Sequence, residues 1–520
     1  MKKRFLSMFM ALLSTATIAL SSGCDVLSKF EKIPEGPDYS DSSLQFDFYG
    51  YSSLIDGWNI DGTSYDVDED YLSVDRIKEY KDAGMTIYFP QSAAAYNGSV
   101  PFENSEAKRA MDTALEAGID KVILMDPRIQ GLSKPAKENA VGLIGEGKQF
   151  ASEEELDAMI ASYLEPYKDH EAFYGVMLGD EPFYYHTENY GQVYRSIKRV
   201  MPECYIQYNL NPITAGTGMN SATGLRNIDV RFPVLEEGDE GYGAAFDSMD
   251  ELIARYKKYI RGFMDATGAS YIQYDQYPFR HADKTDEHYL LGLQVVSELT
   301  KEYDAEFYFV TQTYGQTDGV ANPRMLSEAD LYWLNNMLVG FGVKQISYFT
   351  YFTKADNNAE HFIDGNSFIT WYGEKTSIYY NMQQIMAEEQ KLAPVVLNFD
   401  YKTSKVFMKM PTTYNSAFAL KTLELPGFTA LTNVSINKEV ALVTELYDDE
   451  KQNYMYMIQN IVDPVYKGSK AYQTTVVTFA DQYKYVAVYK KGERTLMKLD
   501  KTNSLTLKQK PGEAAYVIPY

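Results

Sequence analysis

Only two cysteines, Cys24 and Cys204, occur in 520 residues. That excludes a disulfide scaffold. Histidine is almost as scarce. His170, His186, His281, His288 and His361 are scattered, no two form H-x-x-x-H, and no Cys/His cluster exists. No metal site is therefore expected. Basic charge is in the minority, with Lys+Arg 49 against Asp+Glu 72 and a net charge of −23. A nucleic-acid partner needs a basic face to neutralise phosphates, so none is expected. No G-x-G-x-x-G follows the first strand candidate, which gives no support to a dinucleotide site and leaves no cofactor implied. Internal repeats and low-complexity tracts are absent too.

What the chain does have is enough apolar residue, 45%, for a sizeable core. Its length suggests roughly two to four domains. Lys2, Lys3 and Arg4 precede an uncharged apolar stretch, Phe5 to Leu20, and Ser21-Ser22-Gly23 leads into Cys24. This reads as an export signal over 1–23. The Cys after small residues resembles a bacterial lipobox, with Ser21 where Leu is more common. The resemblance implies lipidation at Cys24, and so a membrane partner through a lipid anchor. The expected location is the bacterial cell surface or the outer face of a membrane. Residues 24–44, with Pro34, Gly36 and Pro37, read as a flexible tether.

From 45 to 392, apolar strand-like runs alternate with helical patterns. The strand candidates are Phe46–Tyr51, Met85–Pro90, Lys121–Asp126, Tyr174–Gly179, Cys204–Asn209, Ser270–Asp275, Phe307–Gln312 and Gln345–Tyr351. Ser152 with Glu155 and Ser248 with Glu251 have capping-box spacing ahead of apolar stripes. Gly118 is a candidate C-cap after the stripe Ala107, Met111, Ala114, Leu115. Further helices are expected near 74–83, 189–200, 284–303, 327–339 and 375–392. Eight strand–helix units predict a (β/α)8 TIM barrel, with an open doubly wound sheet as the alternative. From 395 to 520 helical periodicity gives way to short alternating runs, which predicts a C-terminal antiparallel β-sandwich.

In such a barrel the site lies at the carboxyl ends of the strands. Those ends read Asp126-Pro127-Arg128, Asp180-Glu181-Pro182, Asn209, Asp275-Gln276-Tyr277-Pro278, Gln312-Thr313-Tyr314 and Tyr351, with Trp371 in the closing loop. Glu181 leaves the apolar run Tyr174-Gly175-Val176-Met177-Leu178, where shielding from water raises a carboxyl pKa, as a general acid requires. Pro182 is expected to hold Glu181 in an extended backbone.

Asp180-Glu181-Pro182 after a fourth strand resembles the acid/base motif of glycoside hydrolase clan A, the β-galactosidase and cellulase superfamily. Tyr274-Asp275-Gln276-Tyr277-Pro278 and Trp371 with Gly373-Glu374-Lys375-Thr376 are similar to its β-galactosidase-like members. The resemblance implies a lipid-anchored glycoside hydrolase acting on a carbohydrate substrate, with Glu181 as acid. It also implies a Glu nucleophile at the end of the seventh strand, where this chain has Gln312. A neutral amide cannot form a glycosyl ester. Asp275 is then the second carboxylate, as nucleophile or as inverting base, or the barrel binds sugar without cleaving it. Asp126, Asp180, Asn209, Tyr277, Gln312, Tyr314, Tyr351 and Trp371 are the candidates for contacting sugar, aromatic rings by stacking on its apolar face. A transporter's solute-binding lipoprotein is a third reading, which the eight units and the all-β tail oppose.

The Gly-rich stretch 210–247 follows the fifth strand and is expected to act as a substrate lid. Asp66-x-Asp68-x-Asp70 lacks the Gly and Glu of a calcium loop, having Tyr71 and Ile77 there. Glu236–Glu240 is expected to be a solvated acidic run. Cys204 is expected in the core.

Overall fold

The computed structural model describes residues 33–51, 58–60, 63–65, 72–279, 285–316, 324–353, 365–370, 373–409, 420–437, 439–464 and 472–520. The expected leader with Cys24, the Asp66–Asp70 run, His281 and Trp371 lie outside them. No helix among the described residues is long and apolar enough to cross a membrane.

The amino-terminal part is a mixed α/β unit. Its parallel strands are β1 (Asp47–Tyr51), β2 (Val122–Met125), β3 (Phe173–Asp180), β4 (Tyr205–Asn209), β5 (Tyr271–Asp275), β6 (Glu306–Gln312) and β7 (Val343–Phe349). They form a three-stranded sheet, β2-β3-β4, and a four-stranded sheet, β1-β7-β6-β5. Backbone hydrogen bonds join the two sheets at both seams. Leu210 N donates to Gln273 O at 2.9 Å across one of them. Across the other, Thr86 N donates to Phe48 O at 2.8 Å and Tyr88 N to Lys121 O at 2.8 Å.

The segment expected as the second strand, 85–90, makes only a single bridge, Tyr88 with Val122. Thr86 and Ile87 both turn their N–H groups to one acceptor, Phe48 O, and Pro90 has no N–H to offer. The alternating ladder therefore does not propagate.

Helices occupy the intervals where apolar periodicity places them: Val74–Asp82, Glu106–Glu116, Glu153–Leu164, Thr187–Val200, Met249–Thr267, Tyr289–Tyr303, Glu328–Gly340 and Ser377–Val396. Ser248 caps its helix by accepting from Glu251 N. Ser152 makes no such bond, and Glu155 instead accepts from Ala151 N at 2.8 Å. Gly118, at φ +85, takes the left-handed position just past its helix.

The strands of a helix-covered parallel sheet usually carry Val and Ile on both faces. Here β4 reads Tyr-Ile-Gln-Tyr-Asn and β5 reads Tyr-Ile-Gln-Tyr-Asp, buried throughout. Gln273 Nε2 donates to Tyr49 OH at 3.0 Å, Gln345 Nε2 to Tyr205 OH at 2.9 Å, and Gln207 Nε2 to Tyr51 OH. Tyr205 and Tyr208 both stack on Tyr271, with centroids 5.8 and 5.0 Å away. Each amide donates to a hydroxyl, which cross-links the polar interior beneath the strand ends.

The carboxyl-terminal part is antiparallel. A six-stranded sheet runs Asp400–Met408, Val440–Asp448, Asn453–Asn460, Ala514–Pro519, Tyr485–Lys490, Glu493–Lys498 in spatial order. A three-stranded sheet runs Leu431–Ile436, Gln473–Phe479, Ser504–Gln509. Val443, Tyr456, Ile458, Val477, Phe479 and Val517 form an apolar cluster of their own. Met455, Met457 and Ile518 instead join the core of the α/β unit. Across that seam Trp333 Nε1 donates to Ile461 O at 3.1 Å, and buried Arg324, paired with Asp330 at 2.5 Å on its own side, reaches Asp463 at 2.9 Å.

Residues 33–44, expected within a flexible tether, lie against this part instead. Tyr39 is buried with its hydroxyl on Asp448 at 2.8 Å, and Arg494 Nη2 donates to Pro37 O at 2.9 Å. An aromatic side chain with a paired hydroxyl anchors what composition alone reads as linker.

Candidate active site

β3 and β4 end side by side, with Asp180 opposite Asn209. Asn209 Nδ2 donates to Asp180 Oδ1 at 2.9 Å. The next backbone N–H, that of Glu181, reaches across to Asn209 O at 2.8 Å. That bond bends the chain, and Glu181 takes φ +41 rather than the extended backbone expected ahead of Pro182. A non-glycine residue in the left-handed region is uncommon and is held only by its surroundings. The hold is visible. Pro182 O accepts from Asn211 Nδ2 at 2.7 Å and from Tyr259 OH at 2.7 Å. Phe183 N donates to His186 Nδ1 at 3.0 Å, while His186 Nε2 faces Pro135 O at 2.9 Å. These roles fix the His186 proton on Nε2, and burial pushes its pKa down. The neutral ring serves as a brace for the Glu181 turn.

The Glu181 side chain remains 36% exposed, and its Oε2 lies 3.7 Å from Arg231 Nη1. Arg231 comes from the long loop after β4, on the short helix Asn227–Arg231, and also donates to Asn211 Oδ1 at 3.0 Å. Lys134 Nζ donates to the backbone oxygen of Asp180. Burial lowers the Lys134 pKa, while Asp180 and Glu181 pull it back up.

Asp275 ends β5 and is only 5% exposed. Its Oδ1 has no hydrogen-bond partner among the described residues. Burial raises its pKa well above the usual carboxylate range, and the charges of Glu181 and Asp180 add to that. The Tyr277 hydroxyl and the Asn209 amide act in the opposite sense. Asp180 is open to solvent yet hemmed in by protein, and this crowding also raises its pKa. Asp180, Glu181, Asn209, Asp275 and Tyr277 thus form one electrostatic cluster. The Tyr277 ring stacks on Phe349 at 5.4 Å, and Tyr314 meets both edge-on at 5.8 and 5.4 Å, making a half-exposed aromatic corner beside it.

Three other candidates are engaged elsewhere. Asp126 is fully buried, caps the helix Pro127–Ser133, forms a two-pronged pair with Arg128 at 3.0 and 2.6 Å, and accepts from Tyr167 OH. It is a structural cap, not a sugar contact. Gln312 is fully buried and clamps the backbone, accepting from Phe279 N at 3.0 Å and donating to Phe279 O and Tyr314 O. Its amide is consumed. Tyr351 is fully buried, edge-on to Tyr80 at 4.7 Å, so it packs in the core rather than on a rim. Trp371 lies outside the described residues.

The loop 210–247 is pinned in part by Arg226, which pairs with Asp229, Asp247 and Glu251. The acidic run within it is not merely solvated. Asp239 pairs with Lys258, and Glu240 with Lys257 and Arg261. The sequence reading did not single out Lys134, Asn211 or Arg231, which lie outside the motif. Cys204 is buried, and burial pushes its thiol up to about 12. No group of three or more metal-ligating side chains occurs among the described residues. Two cavities have linings that include none of Asp180, Glu181 and Asp275. One, about 660 Å³, is lined by Met219, Arg226, Phe246 and Lys421, and the other, about 370 Å³, by Tyr184, Lys258 and Arg261.

No protein-family model and no curated protein matches the chain. Its solved structural neighbours are glycoside hydrolases. A family 39 glycoside hydrolase from the gut symbiont Bacteroides cellulosilyticus WH2 aligns with a TM-score of 0.43 at 12% identity, over 94% of this chain and 83% of that one. A family 5 glycoside hydrolase from Bacteroides vulgatus gives 0.42 at 12%, over 92% and 89%. A fungal β-1,4-galactanase gives 0.36 at 12%, over 66% and 99%. At these scores the likeness is distant, and the functional reading rests on the chain's own residues.

Proposed function

We propose that this chain is a glycoside hydrolase that cleaves O-glycosidic bonds of poly- or oligosaccharides by carboxylate acid/base catalysis. In this reading the two parallel sheets and the Tyr88 segment make one closed (β/α)8 barrel, and the antiparallel part is a β-sandwich. The protein is exported and held at the bacterial surface by a lipid on Cys24.

The observation that carries the reading is the carboxyl cluster at the ends of β3 and β5. Hydrolysis of a glycoside needs one carboxyl that is protonated beside another that is charged. Burial and the neighbouring charges favour the protonated form of Asp275, while Glu181 is ion-paired. Glu181 is the carboxyl that a glycosidic oxygen meets first, because its side chain is 36% exposed while Asp275 is 5% exposed. Sugar entering the site strips water from Glu181 and favours its neutral form. The proton then moves to Glu181, which delivers it to the leaving oxygen. Asp275, left charged, serves as nucleophile or as base for water. Tyr277 and Asn209 stabilise that charge, and Tyr277 with Tyr314 offers a ring surface to the sugar.

Release of reducing sugar from a panel of plant and host glycans by the mature protein tests the proposal, and the anomer of the first product assigns the Asp275 role. A second reading, a sugar-binding barrel without turnover, is favoured by one observation. The strand-end position where the resemblance implies a nucleophile holds Gln312, an amide spent on backbone. That reading predicts glycan binding with no product from any member of the panel.

A further inference from the structure

The protein is strongly acidic, at −23, yet the strand-end cluster is not. Arg231 stands 3.7 Å from Glu181, with its guanidinium over the Phe183 ring at 4.5 Å. Lys134 bonds the Asp180 carbonyl. A guanidinium has five donors and an ammonium three. Among the described residues Arg231 spends Nη1 on Asn211 and Glu181, and Lys134 spends one donor on Asp180 O. Two basic side chains thus stand at the carboxyl cluster, so an anion entering it meets cations as well as carboxyls. A second anion placed beside Glu181 competes for Arg231, since a guanidinium accepts a carboxylate or sulfate in two-pronged geometry.

We propose that Arg231 and Lys134 recognise an anionic sugar, a uronate or a sulfate ester, so that the substrate is an acidic glycan. Arg231 is a specificity-determining residue on the loop after β4, and its shift from Glu181 to the substrate frees Glu181 to take up a proton. An acidic sugar thereby adds to the desolvation that favours the neutral carboxyl, whereas a neutral sugar leaves the ion pair in place. This inference rests on the glycan-site reading given above.

The test pairs each uronate oligosaccharide with its carboxyl-reduced form, and each sulfated one with its desulfated form. Turnover is measured by product release and binding by calorimetry. Wild type is expected to prefer one acidic member over its neutral partner by at least tenfold in kcat/KM and in affinity. The uronate and sulfate arms tell the two anions apart. In Arg231→Gln the ratio of acidic to neutral should fall toward one, chiefly through KM. Arg231→Lys should retain part of it, and Lys134→Gln should reduce it independently. Equal action on acidic and neutral partners by wild type, or an unchanged ratio in Arg231→Gln and Lys134→Gln, overturns the inference while leaving a hydrolase. Preferential binding of the acidic partner without any product has the opposite meaning. It keeps the anion recognition and rejects the hydrolase.

Discussion

Replacing Asp275 by Asn should stabilise the protein and silence it. Asp275 is buried, has an Oδ1 without a partner among the described residues, and faces the charges of Glu181 and Asp180. All but the Tyr277 and Asn209 contacts oppose its ionisation, so its folded pKa stands above its unfolded one. The folded state then binds one proton more than the unfolded state as pH rises past the unfolded value near 4. Wild type accordingly loses about 1.4 kcal/mol of stability per pH unit through that window, relative to a side chain that cannot ionise. Asn has the same shape and carries no charge. The variant's advantage should therefore grow as pH rises past about 4, by at most about 1.4 kcal/mol per pH unit. Urea unfolding of both proteins at half-unit pH steps reads this directly. In parallel, turnover should fall by at least about a hundredfold, the usual contribution of a positioned acid or base. A stability difference that stays flat with pH, or a variant less stable than wild type throughout, refutes the electrostatic account of the cluster.

Glu389 makes a related case away from the site. It is buried on the last helix of the α/β unit, its Oε2 is unpartnered among the described residues, and burial pushes its pKa well up. Glu389→Gln should raise stability above pH 5 with activity intact, and the gain should vanish below pH 4, as chemical unfolding at the two pH values shows. Asp463→Ala should act the other way. It removes the Arg324–Asp463 pair across the seam between the two parts while Asp330 still faces Arg324, a loss of about 1.5–3 kcal/mol in thermal or urea unfolding.

The strand–helix alternation was legible because each element carries its own signal. Runs of Tyr, Ile, Val and Phe bounded by Gly or Asp mark β3 to β7 to within a few residues, and apolar stripes mark the helices. Side-chain direction was not legible from strand ends. Asp126, Gln312 and Tyr351 all end strands expected from the sequence, yet the fold spends them on a helix cap, a backbone clamp and the core. For Asp126 the signal was present, since Asp followed by Pro is a helix start. Asp180, Glu181 and Asp275 were found because acids at the ends of apolar runs are conspicuous. Arg231 and Lys134 were not, because an ion pair or carbonyl contact across about fifty residues depends on how loops fold back, which no local pattern encodes. Tyr39 shows the same limit from the other side, a single aromatic that turns an expected tether into a packed segment.

The central claim is that Glu181 handles the proton of a glycosidic cleavage. The most direct test compares the mature wild type with Glu181→Gln for product release across plant and host glycans, with the folding of both checked by near-UV circular dichroism. The account predicts release by wild type and a loss of at least about a hundredfold in the variant. Release reduced less than about tenfold contradicts it, because a residue that delivers the proton cannot be removed so cheaply.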